Sequence, residues 1–356
     1  MSCPPANPPM NEHANAVVIS GLRKSFHVSG ETVEAVRGID LTVAEGEIFG
    51  LLGPNGAGKT TTLRILTTLL PADAGTALVA GADVRRDPAS VRRRIGYVGQ
   101  RGGADASATG RENLLLTGRL YGLTAAAARE RCAGLAQVFD LTELADRPVR
   151  TYSGGQRRRL EVALGIMHKP RVLFLDEPTT GLDPQNRANL WEMLRELRDS
   201  GTTVFLTTHY LDEADQLSDR VAIVDHGQVI ALGTPDELKR RYSGDTISVT
   251  PDVPLADVPA HARELQEAVA ATAATIDRGA IKLTVADPTH AMAAVFALLA
   301  ARGVSVLDAQ VGRPSLDDVF LRETGRSLRD AGPGADAGTG VRAADAGTSA
   351  RTEVPA

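Results

Sequence analysis

Short unbroken apolar runs recur at 48 to 52, 172 to 175, 203 to 207 and 221 to 224, each bounded by polar or turn-forming residues. Runs of this length with no alternation predict strands buried on both faces. Between them, apolar positions fall at helical spacing over 60 to 70, 157 to 168, 185 to 199 and 211 to 217. Strand and helix in alternation predict an α/β fold, a mainly parallel sheet with helices on both faces. The stretch from 101 to 152 breaks the rhythm, with helical spacing at 112 to 121, 124 to 138 and 142 to 145 and no convincing strand, so it reads as an inserted helical subdomain. Short strand candidates at 18 to 22, 34 to 36 and 39 to 43 predict a small antiparallel sheet near the start. Beyond 240, strands at 246 to 250, 280 to 285 and 304 to 311 with helices at 261 to 274 and 288 to 302 predict a small α+β unit over 246 to 325. From 330 to 356, Ala, Gly, Asp and Thr dominate without periodicity and predict a disordered tail; residues 1 to 16 read as a disordered leader.

The chemistry sits at the ends of these runs. After the strand at 48 to 52 comes Gly53-Pro54-Asn55-Gly56-Ala57-Gly58-Lys59-Thr60 and then a helix, a P-loop in its expected context. Glycines let backbone N–H groups turn inward on phosphates, and the helix start adds positive potential. Lys59 neutralises charge, and the Thr60 hydroxyl is a ligand for Mg²⁺. Asp176 and Glu177 end the run at 172 to 175. Phosphate chemistry of this kind needs one carboxylate on the Mg²⁺ shell, read as Asp176, and a group to polarise the attacking water, read as Glu177. The run Ser153-Gly154-Gly155-Gln156 opens a helix, where a serine and backbone N–H groups form an anion site. His209 ends the strand at 203 to 207 on the same expected edge.

In this order the residues resemble the nucleotide-binding subunit of an ATP-binding cassette (ABC) transporter, over about 17 to 240. The resemblance implies that Gly53 to Thr60 with Thr61 hold ATP, that Phe26 stacks on adenine, and that Gln100, after Ile95-Gly96-Tyr97-Val98-Gly99, joins Thr60 and Asp176 at Mg²⁺. It makes Ser153 to Gln156 the signature motif, Leu182-Asp183 the loop after the second carboxylate and His209 the switch histidine, with Glu177, His209 and Lys59 catalytic. Two positions depart from the family: Tyr152 stands where leucine usually precedes the serine, and Gly99 replaces a frequent proline. Neither removes a phosphate ligand. The run TYSGG, Thr109-Gly110-Arg111-Glu112-Asn113 and the segment PSLDDVFLRETG at 314 to 325 resemble the daunorubicin-resistance, drug-exporting subgroup. In the family the signature of one subunit closes on the nucleotide of the other. One P-loop and one signature per chain therefore imply a head-to-tail dimer of two copies with two ATP, coupled to an integral membrane permease.

Composition narrows the partners. A net charge of -5 gives no basic field for nucleic acid. Two cysteines, Cys3 and Cys132, are too few for a disulfide framework and fit a reducing cytosol. No apolar run reaches the roughly 18 residues that span a bilayer, and the first residues lack a signal-peptide pattern. The expectation is a cytoplasmic protein, peripheral on the inner face of the membrane through its permease. The cassette alone fits uptake as well as export, or lipid or polysaccharide export. A soluble cassette ATPase acting on DNA or ribosomes usually carries two cassettes or a long coiled-coil insert, and neither is found here.

Overall fold

The computed structural model describes residues 15–28, 30–242, 245–312 and 315–326. The expected disordered tail, Cys3, Pro314 and all but the last two residues of the leader lie outside them.

The chain opens with β1 (Asn15–Val28) and β2 (Glu31–Ala44), a long antiparallel pair where three short strands are predicted. Then follow β3 (Ile48–Leu52), α1 (Lys59–Leu66), β4 (Ala74–Val79), β5 (Ala82–Asp83), α2 (Pro88–Arg94) and β6 (Ile95–Val98). Strands β4 and β5, unpredicted, complete a four-stranded antiparallel sheet in the order β2-β1-β4-β5. Helix α1 stops four residues short of its predicted end. The β-branched pair Thr67-Thr68 breaks it, with Thr68 in the left-handed region at φ 62°, and Pro71 follows.

Next come α3 (Gly110–Leu120) and α4 (Ala125–Val138), started by the Thr109 and Thr124 side chains, and α5 (Gly154–Gly165). The predicted helix at 142 to 145 is instead a chain of turns, closed by bonds such as Leu144 N–H to the Leu141 carbonyl (3.0 Å) and stopped by Pro148. After them lie β7 (Val172–Asp176), α6 (Pro184–Asp199), β8 (Thr203–Thr208), α7 (Leu211–Leu217), β9 (Arg220–Asp225) and β10 (Gln228–Gly233). A six-stranded sheet runs β10-β9-β3-β8-β7-β6, parallel except for the edge strand β10. The two-residue period of a strand divides its side chains between two cores. Phe49, Phe174 and Phe205 pack toward α1 and the antiparallel sheet, whereas Ile48, Leu173, Leu175, Val204 and Leu206 pack toward α3 to α6.

The last elements are α8 (Pro235–Tyr242), β11 (Asp245–Pro251), α9 (Val258–Ala268), β12 (Ala273–Asp277), β13 (Ala280–Val285), α10 (Pro288–Ala301), β14 (Val306–Gly312) and α11 (Leu316–Thr324). Strands β12-β13-β11-β14 form an antiparallel sheet with its own core. The helix predicted over 261 to 274 ends at Ala268, because Ala270 turns left-handed (φ 50°) and Thr272 N–H bonds the Thr284 carbonyl, starting β12. Helix α11 has the predicted apolar face, but it lies elsewhere: Leu316, Val319 and Phe320 pack with Leu52, Ala214, Ile223 and Leu238 of the six-stranded sheet and its helices. Among the described residues no helix is long and apolar enough to cross a membrane.

Candidate nucleotide site

The loop 53–58 joins the carboxyl end of β3 to α1 and is wedged between neighbouring backbones. Gly58 sits at φ 97°, and a Cβ there would fall 2.2 Å from the Ala35 carbonyl of β2, so only glycine fits. Helix α1 then starts with no side-chain cap on its first N–H groups, which leaves them for an anion. The Lys59 ammonium is buried and donates to the Gly53 and Pro54 carbonyls at 2.7 and 2.9 Å, with Glu177 Oε1 at 3.9 Å. Burial pushes its pKa down, while Glu177 and Asp176 pull it back up.

Two of the three expected metal ligands meet, Thr60 from the first turn of α1 and Asp176 from the end of β7. Thr60 Oγ1 donates to Asp176 Oδ1 at 3.0 Å, and Asp176 is buried at the end of β7. A hydroxyl and a carboxylate oxygen this close suit a small hard cation that keeps other positions for water and phosphate oxygens. Gln100, in contrast, is exposed in the turn after β6 and has no hydrogen bond to either. Sequence reasoning missed Thr207: the register pairs Asp176 with Thr207 of β8, and its hydroxyl donates to Asp176 Oδ1 at 2.7 Å.

Glu177 departs from strand geometry, with φ 46° in the left-handed region. Its N–H bonds the Thr207 carbonyl and hydroxyl, both at 3.1 Å, which rotates the side chain back over the loop. His209 Nδ1 lies 3.2 Å from Glu177 Oε1 without the alignment of a hydrogen bond, and Thr180 Oγ1 donates to Oε2 at 3.3 Å. Burial raises the Glu177 pKa, but His209, Lys59 and Thr180 outweigh it and hold the carboxyl below its ordinary value. Lys59, Thr60, Asp176, Glu177 and His209 thus converge at one sheet edge.

The signature residues form a second cluster. Ser153 caps α5 in a reciprocal pair with Gln156: Ser153 N–H donates to Gln156 Oε1 at 2.9 Å and Gln156 N–H to Ser153 Oγ at 3.3 Å. Asp183 caps α6, accepting from Asn186 N–H at 3.0 Å and Nδ2 at 2.6 Å; these bonds lower its pKa. A Cβ on Gly155 would fall 2.4 Å from Asn186 Oδ1, so the two helix starts touch. Gly154 faces open space. Tyr152, the departure noted above, donates to the Leu144 carbonyl at 2.5 Å and anchors this corner to the helical insert. Phe26 is half-buried on β1 beside Lys24, whose ammonium lies 5.6 Å from the ring centre.

A loop shaped to wrap phosphates, facing two carboxylates in different surroundings, defines a P-loop nucleotide-hydrolysing protein. The family model described as ABC transporter matches residues 36–180, and that of the ATP-binding protein DrrA1-3-like C-terminal domain matches 233–324. The chain is 46% identical over 319 residues, 88% of this chain and 94% of the other, to the daunorubicin/doxorubicin resistance ATP-binding protein DrrA of Streptomyces peucetius. It is 37% identical, over 83% of this chain and 95% of the other, to the linearmycin resistance ATP-binding protein LnrL of Bacillus subtilis strain 168. A solved ATP-binding subunit of an ABC transporter superposes with TM-score 0.57 at 27% identity, over 64% of this chain and 93% of that one. The chain belongs to the ATP-binding subunits of ABC transporters, in the group of the daunorubicin-resistance proteins.

Proposed function

We propose that this subunit hydrolyses ATP with Mg²⁺ between two head-to-tail copies and thereby energises export of a hydrophobic, drug-like compound through a separate membrane permease. The observation that carries the reading is the convergence of Lys59, the Thr60-Asp176 pair and the Glu177-His209 pair at one sheet edge. Thr60 and Asp176 would hold Mg²⁺, which neutralises phosphate charge when bound. Gly53 to Thr61 wrap the phosphates, and Lys59 exchanges its two loop carbonyls for phosphate oxygens. Glu177, kept ionised, accepts a proton from the attacking water, and His209 holds that carboxylate and contacts the transferred phosphate. Phe26 takes the adenine, and Gln100 links the site to the permease.

In the same reading Ser153, Gly154, Gly155 and Gln156, with Asp183 beside them, serve the nucleotide of the other copy. The chain divides into the cassette at 17–240, with its helical insert at 101–152, and a C-terminal unit at 246–325. It sits at the inner face of the membrane through the permease. Drug export is supported by the daunorubicin and linearmycin resistance of the relatives. The test is Glu177→Gln: ATP binding persists while single-turnover hydrolysis falls by roughly two to four orders of magnitude. Unchanged hydrolysis rejects Glu177 as base. Vesicles holding both chains should then accumulate a hydrophobic drug only with ATP.

A further inference from the structure

One buried side chain joins helix α5 to the backbone on both sides of Glu177 and to the loop before Gln100. Arg158 lies one turn into α5, only 7% exposed, and each of its three guanidinium nitrogens donates a hydrogen bond. Nε donates to the Pro178 carbonyl at 2.8 Å and Nη2 to the Asp176 carbonyl at 3.2 Å. These are the peptide carbonyls on either side of Glu177. Nη1 donates to the Gly99 carbonyl at 2.9 Å, directly before Gln100, and to Glu161 Oε2 at 3.1 Å. Glu161, buried in turn, closes against the same loop, since a Cβ on Gly102 would overlap its carboxylate.

A non-glycine residue in the left-handed region is strained by roughly 1–3 kcal/mol and persists only where its surroundings over-determine it. For Glu177 one side of that hold is Thr207, on its N–H. The other is Arg158, on the carbonyls before and after it. An arginine is needed because its donors leave a rigid plane in several fixed directions, whereas a lysine brings one rotating ammonium. Arg158 was invisible in the sequence as the middle of the run Arg157-Arg158-Arg159.

We propose that Arg158 is a positioning residue for Glu177, tying the placement of its carboxylate to α5 and to the base of the Gln100 loop. The inference rests on Glu177 acting as the base. A shift of the Gln100 loop or of the signature helix then reaches the hydrolytic carboxylate through one guanidinium, without passing through the nucleotide.

The test uses the full-length chain with Arg158→Met and Arg158→Lys, each alone and with Glu177→Gln. It measures equilibrium binding of a fluorescent ATP analogue, steady-state kcat and KM, and single-turnover hydrolysis. A misplaced general base costs roughly ten- to a hundred-fold in kcat. Arg158→Met should show that loss with nucleotide affinity and KM within about threefold of the parent, and Arg158→Lys should recover only part of it. In the Glu177→Gln background neither change should slow the residual hydrolysis further, because residues acting as a unit are not additive. Wild-type kcat in Arg158→Met, a KM rise that accounts for the loss, or a multiplicative loss in the double variant overturns the proposal. If Arg158→Met does not fold, Arg158→Lys decides by the same three criteria. Intact hydrolysis in Glu177→Gln alone removes the base and the inference with it; loss there beside a fully active Arg158→Met removes the inference only.

Discussion

Thr207→Val isolates one hydrogen bond at the centre of the site. Valine keeps the β-branch, and the side chain is fully buried at the end of β8, so packing and strand propensity change little. The hydroxyl has two partners with different fates. Glu177 N–H keeps the Thr207 backbone carbonyl at 3.1 Å after the hydroxyl is gone. Asp176 Oδ1 loses a donor at 2.7 Å and retains, among the described residues, Thr60 at 3.0 Å. Hydrogen bonds to a charged group contribute about 1.5–3 kcal/mol, against about 0.5–1.5 kcal/mol for neutral ones. With a urea slope of about 1–3 kcal/mol/M, the unfolding midpoint of the nucleotide-free protein should fall by on the order of 1 M. Thr203→Val is the internal comparison, since that buried hydroxyl accepts from Gly46 N–H at 2.9 Å and touches no carboxylate. Its loss should be about half as large or less. Equal midpoint shifts for the two variants, or a Thr207→Val shift within error of zero, would refute the claim that Asp176 depends on Thr207.

Two further outcomes follow from the same geometry. Subunits carrying Lys59→Ala and subunits carrying Ser153→Ala should each be inactive alone, and mixing should restore measurable ATPase activity, up to roughly a quarter of wild type if the one competent site in half of the dimers works independently; no recovery counts against the trans arrangement. Glu213 is fully buried and receives Trp191 Nε1 on Oε1 at 3.2 Å. Burial raises its pKa against the opposing pull of Thr208, Trp191, Thr179 and Arg187. A raised folded-state pKa contributes stability that is complete below the ordinary carboxyl value and is lost as pH rises through the folded value. Glu213→Gln should therefore gain stability relative to wild type on going from about pH 5 to about pH 8, read as a difference in urea midpoints; a difference that is flat or reversed with pH rejects the assignment.

What was legible in the sequence is what backbone geometry forces into residue type. Gly58 must be glycine because of its φ and the Ala35 carbonyl, and the acidic pair stands out because carboxylates at the end of an apolar strand have few structural uses. The partners of these residues were not legible. Thr207 matters only through the register of β7 against β8, which no local pattern encodes. Arg158 has the same sequence surroundings as its part-buried neighbours Arg157 and Arg159, and the approach of two loops from elsewhere in the chain buries it. The missed elements have a similar cause. Strand β5 is two residues long, and the alanine-rich start of β12 continues the helical spacing of α9 in sequence although Ala270 has already turned the chain.

Helix α5 unites these separate groups. Its first residues have one closed side and one open side: Gly155 is shut against Asn186 of α6, while Gly154 faces free space and Ser153 is exposed. The capping pair with Gln156 occupies the N–H of Gln156 but leaves the Gly154 and Gly155 N–H groups outside the intrahelical ladder, where an anion is favoured. One turn further along, the same helix carries Arg158 to the carbonyls around Glu177. A phosphate arriving at the open side would press on a rod whose other contact is the base of its own chain's site. In the proposed head-to-tail arrangement the two ends, about one helical turn apart, would face different nucleotides. Under that arrangement and with Arg158 positioning Glu177, hydrolysis in one site would depend on occupancy of the other.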